Sequence, residues 1–111
     1  MAFDEALAAR LRRILAARTG ITERKMMGGL CFMVGEHMCC GVLGSALMVR
    51  VGRDAQGEVL RIPHVRKMEM SGRQVSGFIL VDAAGLRSDA AISKWIERGI
   101  AFASTLAPKR R

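Results

Sequence analysis

The segment from Met26 to Leu43, MMGGLCFMVGEHMCCGVL, is almost wholly apolar and is broken by glycine rather than by charge. Only Glu36 and His37 interrupt it, near its middle. Two apolar runs about Gly35-Glu36 predict a buried β-hairpin, with glycine where a type II′ turn needs it. With Gly35 and Glu36 as the turn, Val34 would face His37, Met33 would face Met38, Phe32 would face Cys39 and Cys31 would face Cys40. Leu30, Phe32 and Val34 would then share one face, and Cys31, Met33, Met38, Cys40 and Val42 the other. A strand pair that is apolar on both faces must be covered on both. Helices can cover one face, and a partner subunit is the expected cover for the other.

The flanking sequence supplies those helices. From Phe3 to Arg18, the residues Phe3, Leu7, Leu11, Ile14 and Leu15 form one stripe, with Asp4 and Glu5 in the first turn and Gly20 as a stop. Asp89–Leu106 reads as a second helix, with Ser88 as N-cap and a stripe of Ile92, Trp95, Gly99, Phe102, Ala103 and Leu106. Gly99, costly in a helix interior, suggests close approach to another element. Between them, Ala46–Val51, Lys67–Ser71 and Gly77–Asp82 read as strands, and Ala55–Leu60 as one short helical turn. The expected architecture is α+β: an antiparallel five-stranded sheet with N- and C-terminal helices, in the order α-β-β-β-(short α)-β-β-α, as one domain over residues 1–111.

At 111 residues the chain can close one core. No apolar segment reaches the roughly 20 residues that span a bilayer, and acids precede arginines at the N-terminus, the wrong order for a secretory signal. No membrane association and a cytoplasmic location are expected. Cys31, Cys39 and Cys40 read as reduced core thiols. With His37 they are the one set that could hold a metal, but the zinc-knuckle spacing is absent and neighbours on a strand point to opposite faces. No metal and no cofactor are expected. His37 and His64 each stand without an acid or nucleophile at a telling spacing, and no glycine-rich loop leads from a strand into a helix to hold a nucleotide. No catalytic residues are assigned.

The charge is less neutral in its message. Eighteen basic residues against 10 acidic ones leave +8, a field that favours polyanions. Arg50, Arg53, Arg61, Arg66, Lys67 and Arg73 are candidate nucleic-acid contacts, converging with His64 beside the fourth strand. The chain has no tyrosine, and Phe32, Phe78 and Trp95 read as core, so base-stacking platforms are missing. No helix-turn-helix is evident. Nucleic-acid contact would be weak, backbone-directed and salt-sensitive. Met33, Met38, Cys40 and Val42 form a candidate interaction surface, because methionine suits adaptable docking faces.

The runs KMMGGLCFM, GxxMCCGV and LMVRV, then MxMSGR, GFILVD, SDAAISKWIERGIAFA and TLAPK, occur in order from about Arg10 to Lys109. That ordered set resembles the TfoX/Sxy N-terminal domain family. The resemblance implies an antiparallel sheet packed against helices, similar to the secretion-chaperone-like fold. It also implies a regulatory role, since the name-giving members regulate natural competence with a cyclic-AMP receptor-type activator. Those regulators carry a C-terminal domain as well, and this chain is expected to be a single-domain member without it. The expected function is a small cytoplasmic regulatory or protein-interaction module with no catalytic activity, working through a protein partner or as a homodimer. The alternative is a basic, non-sequence-specific nucleic-acid binder.

Overall fold

The computed structural model of the protein describes residues 3–26 and 28–106. Helix α1 (Glu5–Leu15) leads into strands β1 (Ile21–Met26), β2 (Gly29–Val34), β3 (His37–Leu43) and β4 (Ala46–Arg50). Helix α2 (Arg53–Val59), strands β5 (Val65–Met70) and β6 (Arg73–Val81), a 3-10 turn at Ala83–Gly85 and helix α3 (Asp89–Ser104) follow. The class is α+β, as expected, and all pairings between the six strands are antiparallel. The sheet has six strands rather than five, in the order β1-β2-β3-β4-β6-β5.

The additional strand is β1. Thr22, Glu23, Arg24 and Lys25 are all exposed, so no period-two alternation marks it in the sequence. It is an edge strand paired on one side with β2, from Ile21 opposite Val34 to Met26 opposite Gly29. A charged edge of this kind resists pairing with other chains. Glu23 ties it to α1 by accepting from Arg12 Nε at 2.7 Å. Helix α1 is shorter than the stripe suggested, because Asp4 is its cap and not part of its first turn. The Asp4 carboxylate accepts from the amides of Ala6 and Leu7 at 2.9 and 3.1 Å. Ser88 caps α3 as expected, its hydroxyl accepting from Ala91 N at 3.1 Å.

The β2–β3 hairpin begins in the expected register, with Val34 opposite His37 and Met33 opposite Met38. It then shifts by one residue: Phe32 faces Cys40, Cys31 faces Gly41 and Leu30 faces Val42. Cys39 is the extra residue of a β-bulge, which the simple two-residue turn count could not contain. Its consequence is large, because a one-residue slip moves side chains to the other face. Cys39, Cys40 and Val42 all enter the main core with Leu30 and Phe32. Cys31, Met33 and Met38 lie on the opposite face.

The main core lies between the sheet and its helices. Leu7, Leu11 and Leu15 of α1 and Ile92, Ile96, Ile100 and Ala103 of α3 cover Leu30, Phe32, Val42, Leu47, Val49, Ile79 and Val81. The α3 stripe differs from the expected one: Ile96 and Ile100 are buried, whereas Trp95 and Phe102 are half-buried. Gly99 permits close approach, since a Cβ there would stand 2.3 Å from the Cys39 carbonyl oxygen.

The second face carries its own cluster, built by strand residues alone: Cys31, Met33, Ala46, Met48, Met68 and Leu80 are buried, ringed by Met26, Met38, Leu43, Met70, Val75 and Phe78. Every methionine among the described residues belongs to it. Long, flexible thioether side chains from β1 to β5, joined by Val75, Phe78 and Leu80 of β6, lie over this face of the sheet. Six residues of this face are buried within the single chain.

Two measurements test this packing. Gly99→Ala should destabilise the protein by roughly 1–3 kcal/mol in urea unfolding, against the usual helix preference for alanine, because the methyl group meets backbone. Gly57→Ala in α2, where a Cβ would meet nothing within 4 Å, should be neutral or stabilising by up to about 1 kcal/mol. Stability should also fall in acid. The Arg12 guanidinium holds the Glu23 carboxyl below its usual 4.5, and Arg13 and then Arg10 hold Asp89 below its usual 3.8. Carboxyls depressed in the folded state contribute fully above their ordinary values and lose that contribution as pH drops through the lowered ones. Asp89→Asn should flatten the acid limb of a stability–pH curve.

Candidate binding surfaces

The four residues of the expected interaction surface do not share a surface. Cys40 and Val42 are buried under the helices, and Met33 is buried in the methionine cluster. Met38, half-buried, packs at the margin of that cluster. The bulge is the reason, since it sends Cys40 and Val42 to the opposite face from Met33 and Met38. It also overturns the opposite-face reading of Cys39 and Cys40, whose sulfurs lie 3.8 Å apart in one core. The Cys39 thiol donates to the Phe32 carbonyl at 3.3 Å. Cys40 is pushed up well above an ordinary thiol by its hydrogen bond with Cys39 and by burial, and burial raises Cys31 as well. Raised thiols such as Cys31 and Cys40 are poor nucleophiles, whereas the hydrogen bond with Cys40 pulls Cys39 down, though it is buried. His37 opens β3, while His64 is exposed in the loop before β5.

The six candidate nucleic-acid contacts are spread out. Arg66 is spent on Asp82, with its Nε 2.8 Å from the carboxylate. Arg61 lies exposed beyond the end of α2, Lys67 is on edge strand β5, and Arg73 opens β6 opposite Met70. Arg66 and Met70 are four residues apart on β5, so Arg66 and Arg73 sit about 13 Å apart along the hairpin. Only Arg50 and Arg53 come together, in a cleft of about 610 Å³ at the end of β4 that Asp54, Ser76, Gly77 and Phe102 also line.

That cleft is assembled from the backbone outward. Gly77 has φ +88 inside β6, and its carbonyl accepts from both Val51 N and Gly52 N at 2.9 and 3.0 Å. Its own amide donates to the buried Gln56 side chain of α2 at 2.9 Å. Gln56 is buried and polar, and this pairing satisfies it. Gly52, with φ +86, starts α2 where a Cβ would collide with the Phe102 ring at 2.4 Å. The Arg50 guanidinium is held over two rings, 5.2 Å from the centroid of Phe78 and 5.9 Å from that of Phe102. Its Nη1 also donates a long bond of 3.4 Å to the Met38 carbonyl.

A second opening lies on the outer side of α3. Ile62, Ala91, Lys94, Trp95 and Arg98 line a groove of about 330 Å³. Ile62, 40% exposed, is the one large hydrophobic residue open to solvent among the described residues. This surface escaped the sequence reading, which gave Trp95 to the core stripe. The available signal was the spacing of Ala91, Lys94, Trp95 and Arg98, which repeats at i, i+3, i+4 and i+7. That is a helical face of its own, distinct from Ile92, Ile96, Gly99 and Ala103.

Among the described residues, neither opening assembles an acid, base and nucleophile. A family model described as the TfoX N-terminal domain matches residues 13–103. No curated protein and no solved structure matches the chain.

Arg50→Ala should lower stability by about 1–2 kcal/mol, since it removes both ring contacts and the packed methylene stem. Arg50→Lys should recover part of that loss. A urea midpoint unchanged in both variants would show that the rings do not anchor the guanidinium.

Proposed function

The chain belongs to the TfoX N-terminal domain family, and on that premise we propose that it is a regulatory, protein-binding module that acts by docking rather than by catalysis. The observation that carries this reading is the groove on α3, where the exposed Ile62 adjoins the half-buried Trp95. Tryptophan and arginine are the residues on which interface energy concentrates, and an aliphatic neighbour beside them makes an anchoring pocket. Three buried free thiols suit the reducing cytoplasm. No helix among the described residues is long and apolar enough to cross a membrane.

A second reading, weak nucleic-acid binding, is favoured by one observation. Arg53, Arg61, Lys67 and Arg73 make no ion pair with any described residue, whereas Arg10, Arg12, Arg13, Arg18 and Arg66 are all paired. The unpaired set is scattered and includes no exposed aromatic platform, which fits phosphate contact without base readout.

One comparison separates the two. Immobilised wild-type protein and an Ile62→Asp variant are exposed to the same lysate, and retained proteins are compared by mass spectrometry. The docking reading expects a partner held by the wild type and lost by the variant. In parallel, labelled DNA and RNA are titrated by fluorescence anisotropy, where at least a tenfold loss of affinity is expected between low and near-physiological salt. No differential partner, together with nucleic-acid binding that survives the higher salt, would replace the first reading with the second.

A further inference from the structure

The charges of α3 are sorted by side. Its acids face α1: Asp89 is clasped by Arg10 and Arg13 at 3.0 and 2.9 Å, and Glu97 is bound by Arg18. Its cations Lys94 and Arg98 lie one turn apart on the face that lines the groove, and neither pairs with a described carboxylate. The residue before Ile62 is Arg61, also exposed and unpaired. No carboxylate lines the groove. Its floor is apolar, made by Trp95, Ile62 and Ala91, and its rim is wholly basic.

We propose that this groove docks an acidic amphipathic segment of a partner protein, whose apolar side chains seat against Trp95 and Ile62 while its carboxylates meet Lys94 and Arg98. The proposal rests on the reading of the chain as a docking module and adds the partner's chemistry. An apolar anchor would exclude water from the two ion pairs, and the basic rim would steer an acidic segment into register. A basic segment would meet like charge at every rim position, which costs affinity with no compensating contact.

Trp95 is the single tryptophan of the chain, so its emission reports the groove directly. The probe is a short helical peptide with leucine at i, i+3, i+4 and i+7 and glutamate elsewhere, set against the same peptide with lysine for every glutamate. The expected result is a saturable blue shift of Trp95 emission with the acidic peptide and none with the basic one. The Lys94→Glu/Arg98→Glu pair should weaken the acidic peptide roughly tenfold and turn preference toward the basic one. Ile62→Ser should weaken the acidic peptide while lowering the thermal midpoint less than Ile96→Ser at a fully buried position of α3.

Equal binding of both peptides would overturn the acidic chemistry and leave docking intact. Binding of neither would overturn the groove as a docking surface altogether. Trp95 emission that responds to single-stranded DNA more tightly than to the acidic peptide would assign the rim to phosphate. A shift with protein concentration alone, without peptide, would assign the groove to a second copy of the chain.

Discussion

Helix α3 approaches the sheet very closely at Gly99, over the carbonyl of the bulged Cys39. Much of the structure depends on that approach. A side chain at Gly99 would lift the helix, and Ile92, Ile96 and Ile100 could no longer reach Leu47, Val49 and Ile79 at core density. The bulge is the other half of the fit. It turns Cys39, Cys40 and Val42 toward the helix, so the hairpin presents small side chains and one carbonyl where α3 is closest. Helix α1 is then fastened to α3 by Arg10 and Arg13, the segment after it by Arg18, and α1 to the edge strand by Arg12.

The two faces of the sheet solve the same burial problem with different side chains. Under the helices the core is leucine, isoleucine and valine, whose limited rotamers suit a surface already shaped by a helix. On the other face no helical residue joins the cluster, and methionine from β1 to β5, with Val75, Phe78 and Leu80 of β6, lines it. An unbranched thioether chain can lie flat over a curved sheet and adapt to an irregular gap. This division buries much of the apolar hairpin within one chain.

The same geometry decides which charges are available for partners. Exposed ion pairs contribute little stability each, yet they remove α3's acids and several of the arginines from the surface field. Basic residues without an ion pair among the described residues include Lys94 and Arg98 beside Trp95, Arg53 in the cleft, Arg24 and Lys25 on β1, and Lys67 and Arg73 on β5 and β6. On the docking reading proposed above, recognition falls on the helix side, at the groove beside Ile62 and Trp95.

Local pattern alone determined the α+β class, both long helices, the Ser88 cap, the hairpin turn and the close approach at Gly99, because each is written in short-range periodicity or in a residue type with a narrow steric use. Strand β1 was invisible because an edge strand with exposed charge on both faces carries no alternation. The bulge at Cys39 was invisible because register depends on which partner residue closes each backbone bond, and that choice is made by the docking of α3. The groove at Ile62 and Trp95 was hidden for the same reason: it exists only where the loop after α2 meets the outer face of α3, two segments that tertiary packing alone brings together.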